Sequence, residues 1–390
     1  MDQTESIFAS RSILYLSALK PPATREDIRL AYRDAIQQAL DKVQPAMSED
    51  SRSLQARLDI ALLSDGGLHA SRTQVFSDLQ SLVADIYTLT CICAGRSKIE
   101  LDYPGGVDVR VYALDNVGSD KSHSTTAHQD SDGDASTSGP LTTTAALKAS
   151  RTEWRTIDAA ASEDTSKLYN ITSRSASEQV RTHLKVAVGG TFDHLHVGHK
   201  LLLTATVFIA QPDAGDREIT VGITGDELLV KKKHASVLES WDIRQQRSAD
   251  FVESILVFHP DVSSIRSIEH IDQPGPNGKV VKVTYDTGVR KVTINYVRIS
   301  DPFGPTITDE SITALVISAE TRAGGKAVND KRGDKGWELL EVFEVDVLDP
   351  GSVDDTKDAD PKRVEADFAT KISSTEIRRR LEAVEGVPKS

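Results

Sequence analysis

The chain has 390 residues, and its 46 lysines and arginines against 59 aspartates and glutamates give a formal net charge of −13. This acidic balance excludes broad electrostatic binding to nucleic acid or to an anionic membrane, which would need a surplus of basic side chains. The length predicts two or three domains. No apolar run is long enough to span a bilayer, so a reducing, cytoplasmic location is expected.

The two cysteines exclude a disulfide scaffold. Cys91 and Cys93 are two residues apart on a segment that partly alternates, which would place both side chains on one face. No second pair is present to complete a metal site. The cysteines therefore predict no metal centre.

Residues 1–115 are predicted to form a small α+β domain of unknown role. Apolar residues at spacings of three and four indicate an amphipathic helix that begins after Thr24. Residues 74–95 mix helical and alternating patterns, and residues 98–115 indicate two short strands about a Pro-Gly-Gly turn. No motif here carries recognisable chemistry.

A disordered linker is predicted over residues 116–182. Between Gly118 and Pro140 the chain has no Ile, Leu, Val, Met, Phe, Tyr or Trp. Burial of apolar surface therefore cannot offset the entropy cost of ordering this segment.

Residues 183–390 are predicted to form a doubly wound α/β domain with a parallel, Rossmann-like sheet. Short apolar runs such as HLKVAV, ITVGIT and ALVIS alternate with helical stretches. Two segments interrupt this pattern and are interpreted as surface insertions. One is a β-hairpin over residues 279–297, and the other is an acidic, turn-rich loop over residues 350–363.

The segment VAVGGTFDHLHVGHK, residues 186–200, predicts an anion site at the carboxyl edge of this sheet. A strand ends at two glycines that let a ligand approach the backbone, and a helix begins near Val197. His196 and His199 are three residues apart, so both imidazoles should face the same side of the first turn. The alternatives are that they cap or pack the turn, or that they bind a metal, although no third ligand stands at a matching spacing.

This string resembles the signature of the nucleotidyltransferase superfamily, in which the His-x-Gly-His element binds nucleotide phosphates. Three further segments narrow the resemblance to the phosphopantetheine adenylyltransferase family of the archaeal and eukaryotic type, with an elaborated, fungal-like N-terminal half. They are VGITGDELLVKKK (221–233), the segment from a Gly-Pro turn to an Asn-x-x-Arg helix (299–340), and KISSTEIRRRL (371–381).

The resemblance implies three catalytic residues and a set of ligand-binding residues. The implied catalytic residues are His199, His196 and Lys232. The implied ATP- and substrate-binding residues are Gly190, Thr191, Phe192, Asp193, Arg244, Glu320, Thr321, Arg322, Ser373, Ser374, Thr375 and Arg378. No protein ligand to a metal is implied.

Each of these motifs also has a simpler interpretation. Lys231, Lys232 and Lys233 could form a solvated charge run, and Ser373 with Glu376 fits a capping box that needs no ligand. Arg244 could be an ordinary exposed charge. Glu320, Thr321 and Arg322 could be plain loop residues after a strand.

By resemblance, the substrates are ATP and 4′-phosphopantetheine, and the products are dephospho-coenzyme A and pyrophosphate in coenzyme A biosynthesis. Mg²⁺ is expected to accompany the triphosphate. The glycine-rich loop of a kinase, Gly-x-x-x-x-Gly-Lys-Ser/Thr, does not occur in the chain. A separate dephospho-coenzyme A kinase is therefore expected as a partner, within a multi-enzyme complex for coenzyme A synthesis.

Two other functions remain as alternatives. A cytidylyltransferase shares the Gly-Thr-Phe-Asp and His-x-Gly-His elements but lacks the long agreement over residues 299–340. A catalytically silent adapter would keep the α/β domain as a binding surface and act through residues 1–115. A class I aminoacyl-tRNA synthetase would need an anticodon-binding domain with a basic surface, which the sequence lacks.

Overall fold

The computed structural model describes residues 8–17, 24–43, 55–64, 72–102, 106–115, 147–148, 150, 155–157, 181–210, 215–348 and 373–385. Within these residues the helices are α1 (Arg25–Val43), α2 (Arg72–Arg96), α3 (Val197–Ile209), α4 (Trp241–Leu256), α5 (Val262–Ile265), α6 (Arg322–Asp334) and α7 (Ser374–Glu385). The strands are β1 (Phe8–Ser17), β2 (Gln55–Ser64), β3 (Val107–Asp115), β4 (Arg155–Ile157), β5 (Lys185–Gly190), β6 (Arg217–Thr224), β7 (Arg266–Asp272), β8 (Lys279–Asp286), β9 (Lys291–Ile299), β10 (Ala314–Ser318) and β11 (Glu341–Val345).

The C-terminal half has a seven-stranded sheet in the order β11-β10-β5-β6-β9-β8-β7. The first five strands are parallel to their neighbours, and β8 and β7 extend the sheet in antiparallel fashion. Helices cover both faces of the sheet, as the alternate residues of β10 show: they pack into two different hydrophobic cores. Val316 joins the core that contains α3 and α4, and Ile317 joins the core beside α6. The predicted doubly wound α/β fold is confirmed.

The predicted hairpin over residues 279–297 forms, but its interpretation as a surface insertion is wrong for β9. Strands β8 and β9 pair around residues 287–290, and β9 also pairs in parallel with β6 inside the sheet. Ile294 and Tyr296 are buried. Alternating polar and apolar residues fit both an edge hairpin and an internal strand with one covered face, so the pattern alone could not separate them.

The N-terminal half is α/β, and the α+β prediction for residues 1–115 is wrong. Its four-stranded sheet has the order β3-β2-β1-β4, and every pairing is parallel. The mixed segment 74–95 lies within one helix, α2, so Cys91 and Cys93 are buried helical residues that do not share one face. Of the two short strands predicted over 98–115, β3 forms, while Leu101 makes only an isolated bridge to Val107.

Part of the predicted linker belongs to this sheet. Strand β4 pairs with β1, and Leu147 is buried in the same core. The disordered-linker prediction is therefore wrong for these residues, because the low average apolar content of the segment hides single residues, such as Ile157, that a neighbouring core can bury. The remainder of 116–182, apart from residues 148, 150 and 181–182, lies outside the described residues, as does the predicted acidic loop at 350–363.

The two sheets share one hydrophobic core, with α3 between them. Helix α2 packs on α3, and the outer edge of β3 faces α3 as well. Thr204 and Lys200 of α3 donate to the carbonyls of Val111 and Val109 on that edge, at 3.4 and 2.9 Å. The edge of the N-terminal sheet is thus covered by a helix of the C-terminal half. Among the described helices, none combines the length and apolarity needed to cross a bilayer.

Candidate active site

Strand β5 ends at Gly189 and Gly190, and the turn that follows leads to α3. These two glycines and this turn, called the glycine loop below, are shaped by the packing of one aromatic ring. Phe192 is fully buried and has a φ of 52°, in the left-handed region that non-glycine residues rarely adopt. A Cβ on Gly190 would lie 3.0 Å from this ring, closer than ordinary van der Waals contact. Gly189 is exposed and has open space around it. The loop therefore presents bare backbone at the carboxyl edge of the sheet, with Phe192 as its buried support.

The two histidines are stacked at the amino end of α3. His196 is the N-cap residue, and its ring centroid lies 3.9 Å from that of His199, with an angle of 23° between the rings. His196 is buried and His199 is partly exposed. The predicted common orientation of the two imidazoles is confirmed. Their Nδ1 atoms are both buried without a hydrogen-bond partner among the described residues, so the pair has unused capacity for a ligand.

Burial keeps both imidazoles neutral at pH 7. Desolvation lowers the pKa of His196 well below its usual value, with a further contribution from His199. Desolvation also lowers the pKa of His199 to about 4, against an opposing effect of Asp193. A phosphate chain beside the rings would favour their charged forms, because an opposite charge within a few ångströms raises the pKa of an imidazole.

Ser374, in the Ser-Ser-Thr turn at the start of α7, contacts His196, although the two residues are 178 positions apart in the sequence. Ser374 Oγ lies 3.1 Å from His196 Nε2 and donates to the carbonyl of Asp193 at 3.0 Å. Because the serine has only one proton, His196 Nε2 must carry its own and donate to the serine. Ser373 caps α7 by accepting from the amide of Glu376 at 3.4 Å. Only the serine half of the predicted capping box is thus seen, since the Glu376 carboxylate pairs with Arg379, while Ser374 contacts His196.

Asp193 and Arg378 form a fully buried ion pair that joins the glycine loop to α7. Arg378 also donates to the carbonyl of Lys233 at 3.0 Å and to Thr375 Oγ1 at 3.2 Å. Asp193 accepts from the amide of Glu239 at 3.0 Å. Asp193 and Arg378, both predicted to bind ligand, are therefore paired with protein groups. Together they connect the glycine loop, the segment 233–239 and α7.

Arg244 is buried as well, and its guanidinium faces protein acceptors. It donates to the carbonyls of Thr191, Thr224 and Glu239 at 2.6, 2.8 and 3.0 Å, and to Asp226 Oδ1 at 2.6 Å. The simpler interpretation of Arg244 as an exposed charge is wrong, because its side chain is fully buried. These contacts fix the glycine loop against the end of β6.

Lys231, Lys232 and Lys233 lie in an exposed turn, after a short 3-10 helix at Asp226–Leu228. Among the described residues, none of the three ammonium groups pairs with a carboxylate. The contact from Arg378 to the Lys233 carbonyl places this turn beside α7. The three charges are thus available at the rim of the site.

Glu320, Thr321 and Arg322 lie at the same sheet edge but make no described contact with the histidines. Thr321 forms a capping box with Ser318, and Arg322 pairs with Glu344 at 2.7 Å. All three predicted residues are exposed. The structure places them after β10, the neighbour of β5 in the sheet.

Two further features were missed or misjudged from the sequence. The Asn-x-x-Arg motif supports the fold. Buried Arg332 donates to five backbone carbonyls. The Asn329 amide donates to the carbonyl of Leu340 at 3.0 Å and accepts from its backbone N–H at 2.9 Å. Lys200, directly after His199, is buried against Asp102 and Asp108. The sequence signal for this burial was a single charged residue within the apolar run VGHKLLLTATVFI.

Comparisons with known proteins found one family model and several relatives. A family model described as a domain of unknown function, DUF8446, matches residues 1–192. An uncharacterised protein of Schizosaccharomyces pombe is 37% identical over 195 residues, which are 50% of this chain and 47% of that protein. A phosphopantetheine adenylyltransferase of Saccharomyces cerevisiae is 33% identical over 197 residues, 50% of this chain and 48% of that protein.

The chain thus spans about half the length of these two relatives. A phosphopantetheine adenylyltransferase of Methanosarcina mazei is matched over most of its own length. It is 30% identical over 164 residues, which are 42% of this chain and 80% of that protein. The resemblance seen in the motifs is confirmed by these matches, and the chain belongs to the phosphopantetheine adenylyltransferase family.

Proposed function

We propose that the chain transfers an adenylyl group from ATP to 4′-phosphopantetheine, which yields dephospho-coenzyme A and pyrophosphate. The observation that carries this proposal is the meeting of two helix amino ends at one point. His196 caps α3 and Ser374 opens α7, and the two side chains are 3.1 Å apart. Both helix dipoles direct their positive ends toward this point, which suits a chain of phosphates.

The reaction needs positioning and charge neutralisation more than proton transfer. A phosphate-monoester oxygen of 4′-phosphopantetheine attacks the α-phosphorus of ATP, the bond to the β-phosphate breaks, and pyrophosphate leaves with the electron pair. The attacking phosphate has a second pKa of about 6 and is largely a dianion at neutral pH, so no general base is required. The site must instead align two anions that repel each other and stabilise the charge of the leaving group.

The histidines have different tasks in this proposal. His196 is buried and donates to Ser374, so it holds the turn of α7 in place. His199 is partly exposed and stacked on His196, so its ring is the one that can contact the α-phosphate. Negative charge on the phosphates would raise its pKa from the low resting value and strengthen it as a donor.

The remaining predicted residues keep their expected roles as proposals. The Thr191 hydroxyl would orient the incoming phosphate, since its own carbonyl is fixed by Arg244. Lys232 would contact the triphosphate from the exposed turn. Glu320, Thr321 and Arg322 would contact the nucleotide from the end of β10. We assign Gly190 to backbone contact, and Phe192, Asp193, Arg244 and Arg378 to holding the site.

We propose that Mg²⁺ arrives with ATP as part of the substrate. Among the described residues, no group of three or more His, Cys, Asp or Glu side chains could hold a metal ion, and Asp193 is paired with Arg378. A hard cation such as Mg²⁺ commonly keeps several waters and binds through substrate phosphates. The product would then need a separate kinase to phosphorylate it, which is the partner we propose within a multi-enzyme complex.

The full chain, incubated with ATP, 4′-phosphopantetheine and Mg²⁺, should release pyrophosphate and dephospho-coenzyme A in equal amounts. CTP in place of ATP should give no product, and this arm tests the cytidylyltransferase alternative. Purified, folded protein that releases no pyrophosphate with either nucleotide would refute the proposal and favour a binding adapter. The matches to proteins named phosphopantetheine adenylyltransferase support ATP as the nucleotide.

A further inference from the structure

Lys200 ties the histidine helix to the N-terminal half of the chain. It follows His199 directly, yet its side chain is only 3% exposed. Its ammonium group contacts the carboxylates of Asp102 and Asp108 and donates to the carbonyl of Val109 at 2.9 Å. A cation in such a position is stable only when its partners replace the lost hydration. The three acceptors, all from the N-terminal half, do so.

The lysine completes a balanced set of buried charges. On neighbouring strands β2 and β3, Arg57 pairs with Asp59 at 2.7 Å and Arg110 pairs with Asp108 through two donors. All four side chains lie on one face of the sheet, because Arg57 is aligned with Asp108 and Asp59 with Arg110. With Lys200 and Asp102 added, the ion pairs seen among the described residues join three cations to three anions. Loss of Lys200 alone would leave a buried net negative charge.

The same N-terminal segment also reaches the second helix of the site. Glu100 pairs with Arg380 of α7 through two contacts of 2.9 and 3.1 Å. Arg110 donates to the carbonyl of Asp250 in α4 at 3.1 Å. Described residues on both sides of β3's amino end therefore contact three helices: Asp102 and Asp108 contact α3, Arg110 contacts α4, and Glu100 contacts α7. Helices α3 and α7, whose amino ends meet at His196 and Ser374, are thus both attached to the N-terminal half, and this common attachment is called the shared anchor below.

Lys200 is well placed to control the orientation of the histidine pair. Its backbone amide donates to the carbonyl of His196 at 3.0 Å, which closes the first turn of α3. A side chain fixed in that turn sets the rotation of the helix about its axis, and with it the direction of the His199 ring. A misplacement of about 1 Å in a reacting group can cost about 100-fold in rate.

From these contacts we infer that Asp102, Asp108 and Lys200 form a clamp through which the N-terminal half positions His196 and His199. The clamp residues touch no substrate; they are positioning residues, and they make the N-terminal half a working part of the adenylyltransferase site. The inference rests on the proposed function for its kinetic consequence. Its structural consequence, a fixed orientation of the two imidazoles, does not depend on that function.

The test uses the full chain and a charge-balanced double variant, Lys200→Met with Asp102→Asn. This clamp variant removes one cation and one anion, so Asp108 keeps Arg110 and the buried charge stays neutral. Two matched controls weaken other contacts between α3 and the N-terminal half. Thr204→Val removes the 3.4 Å bond to Val111 one turn further along α3. Arg72→Met removes the 3.1 Å bond to the carbonyl of Phe208 at the far end of α3.

The clamp variant should lower kcat by about 10-fold, a part of what a 1 Å misplacement costs, with a smaller change in KM for ATP. The imidazole NMR signals of His196 and His199 should shift in the absence of substrate. The controls should lower the melting temperature but leave kcat and both signals unchanged. A merely structural contact would lower the melting temperature in all three variants and change kcat in none.

A folded clamp variant with unchanged kcat and unchanged imidazole signals would overturn the inference. If the clamp variant does not fold, the partly exposed pair Glu100–Arg380 supplies the test. Arg380→Glu should lower kcat, and the added Glu100→Arg should restore it; no effect of Arg380→Glu would count against the shared anchor. If the unaltered chain proves inactive with ATP and 4′-phosphopantetheine, the proposed function fails, while the imidazole signals still decide for or against the clamp.

Discussion

At the residue scale, the two histidines of one motif have different environments. His196 is buried and bound to Ser374, while His199 keeps part of its ring exposed. Sequence spacing predicted that they face the same side, which the stacked rings confirm. Spacing could not show which ring reaches solvent, because that depends on where α7 packs. The difference in exposure assigns ligand contact to His199 in our proposal.

We expect His199→Ala to lower turnover by at least about 100-fold, since one preorganised donor to a transition state typically contributes 10² to 10³ in rate. The fold should persist, because the ring is partly exposed and has no described hydrogen bond. Turnover and the far-ultraviolet circular dichroism spectrum would be measured together. His270→Ala on the exposed face of β7 is the control, and it should leave turnover unchanged. Wild-type turnover in His199→Ala would remove His199 from the mechanism.

The lowered pKa of His199 should appear in the pH dependence of stability. The unfolded chain takes up a proton near the ordinary pKa of 6.5, whereas the folded chain resists it until about pH 4. The contribution of the neutral ring to stability is therefore complete above about pH 6.5 and is lost as the pH falls toward 4. Urea unfolding from pH 7.5 to 4 should show a steeper loss for the wild type than for His199→Asn. Parallel curves would contradict the lowered pKa of His199.

At the element scale, α3 and α7 are held at the site by unlike interactions. Helix α3 follows β5 directly and shares its core, whereas α7 begins after residues outside the described part of the chain. The amino end of α7 is attached to the glycine loop by the Asp193–Arg378 pair and by Ser374. One buried ion pair thus carries much of the connection between α7 and the glycine loop.

Arg378→Gln should lower the free energy of unfolding by about 3–5 kcal/mol, because it leaves the carboxylate of Asp193 buried without its cation. The neighbouring substitution Arg379→Gln is the matched control. Arg379 is 58% exposed and pairs with Glu376 on the helix surface, so its loss should cost less than about 1 kcal/mol. Chemical denaturation of both variants would measure the difference. Equal effects would mean that the buried pair contributes no more than a surface pair.

At the scale of the whole molecule, the two halves form one body because α3 is a core helix for both sheets. Tyr112 of β3 packs against Phe258 after α4, with ring centroids 5.5 Å apart, and Phe76 of α2 packs against Phe343 of β11 at 5.0 Å. The N-terminal half therefore packs directly on the C-terminal half, beyond the contacts of Lys200. Such an arrangement predicts cooperative unfolding of both halves.

Ile60→Ala in β2 tests this cooperativity. Ile60 is fully buried in the N-terminal sheet, and its truncation should cost about 2–5 kcal/mol. Hydrogen exchange measured by mass spectrometry should show loss of protection in β5 and β6 as well as in β1 and β2. Leu30→Ala on the exposed face of α1 is the control and should change neither region. Protection lost only in the N-terminal sheet would mean that the halves unfold independently.

Much of the C-terminal fold and the candidate site was predictable, and most of the N-terminal half was not. Short apolar strands that alternate with helices can pack in only a few architectures. The pattern of residues 183–390 therefore predicted a doubly wound sheet correctly. The pattern failed for β9, which looks amphipathic although it lies inside the sheet. It failed again for α2, where apolar residues surround the helix so fully that periodicity is weak.

The sequence by itself determined the family, its signature motifs and the parallel sheet, because these depend on local patterns of glycine, histidine, serine and apolar residues. Only the tertiary structure decided which charged residues face outward. It buried Arg244, Arg378 and Lys200 against acceptors from distant segments and left Lys232 in an exposed turn. The reason is physical: the cost of burying a charge depends on partners brought together by folding, and no local pattern of residues records them.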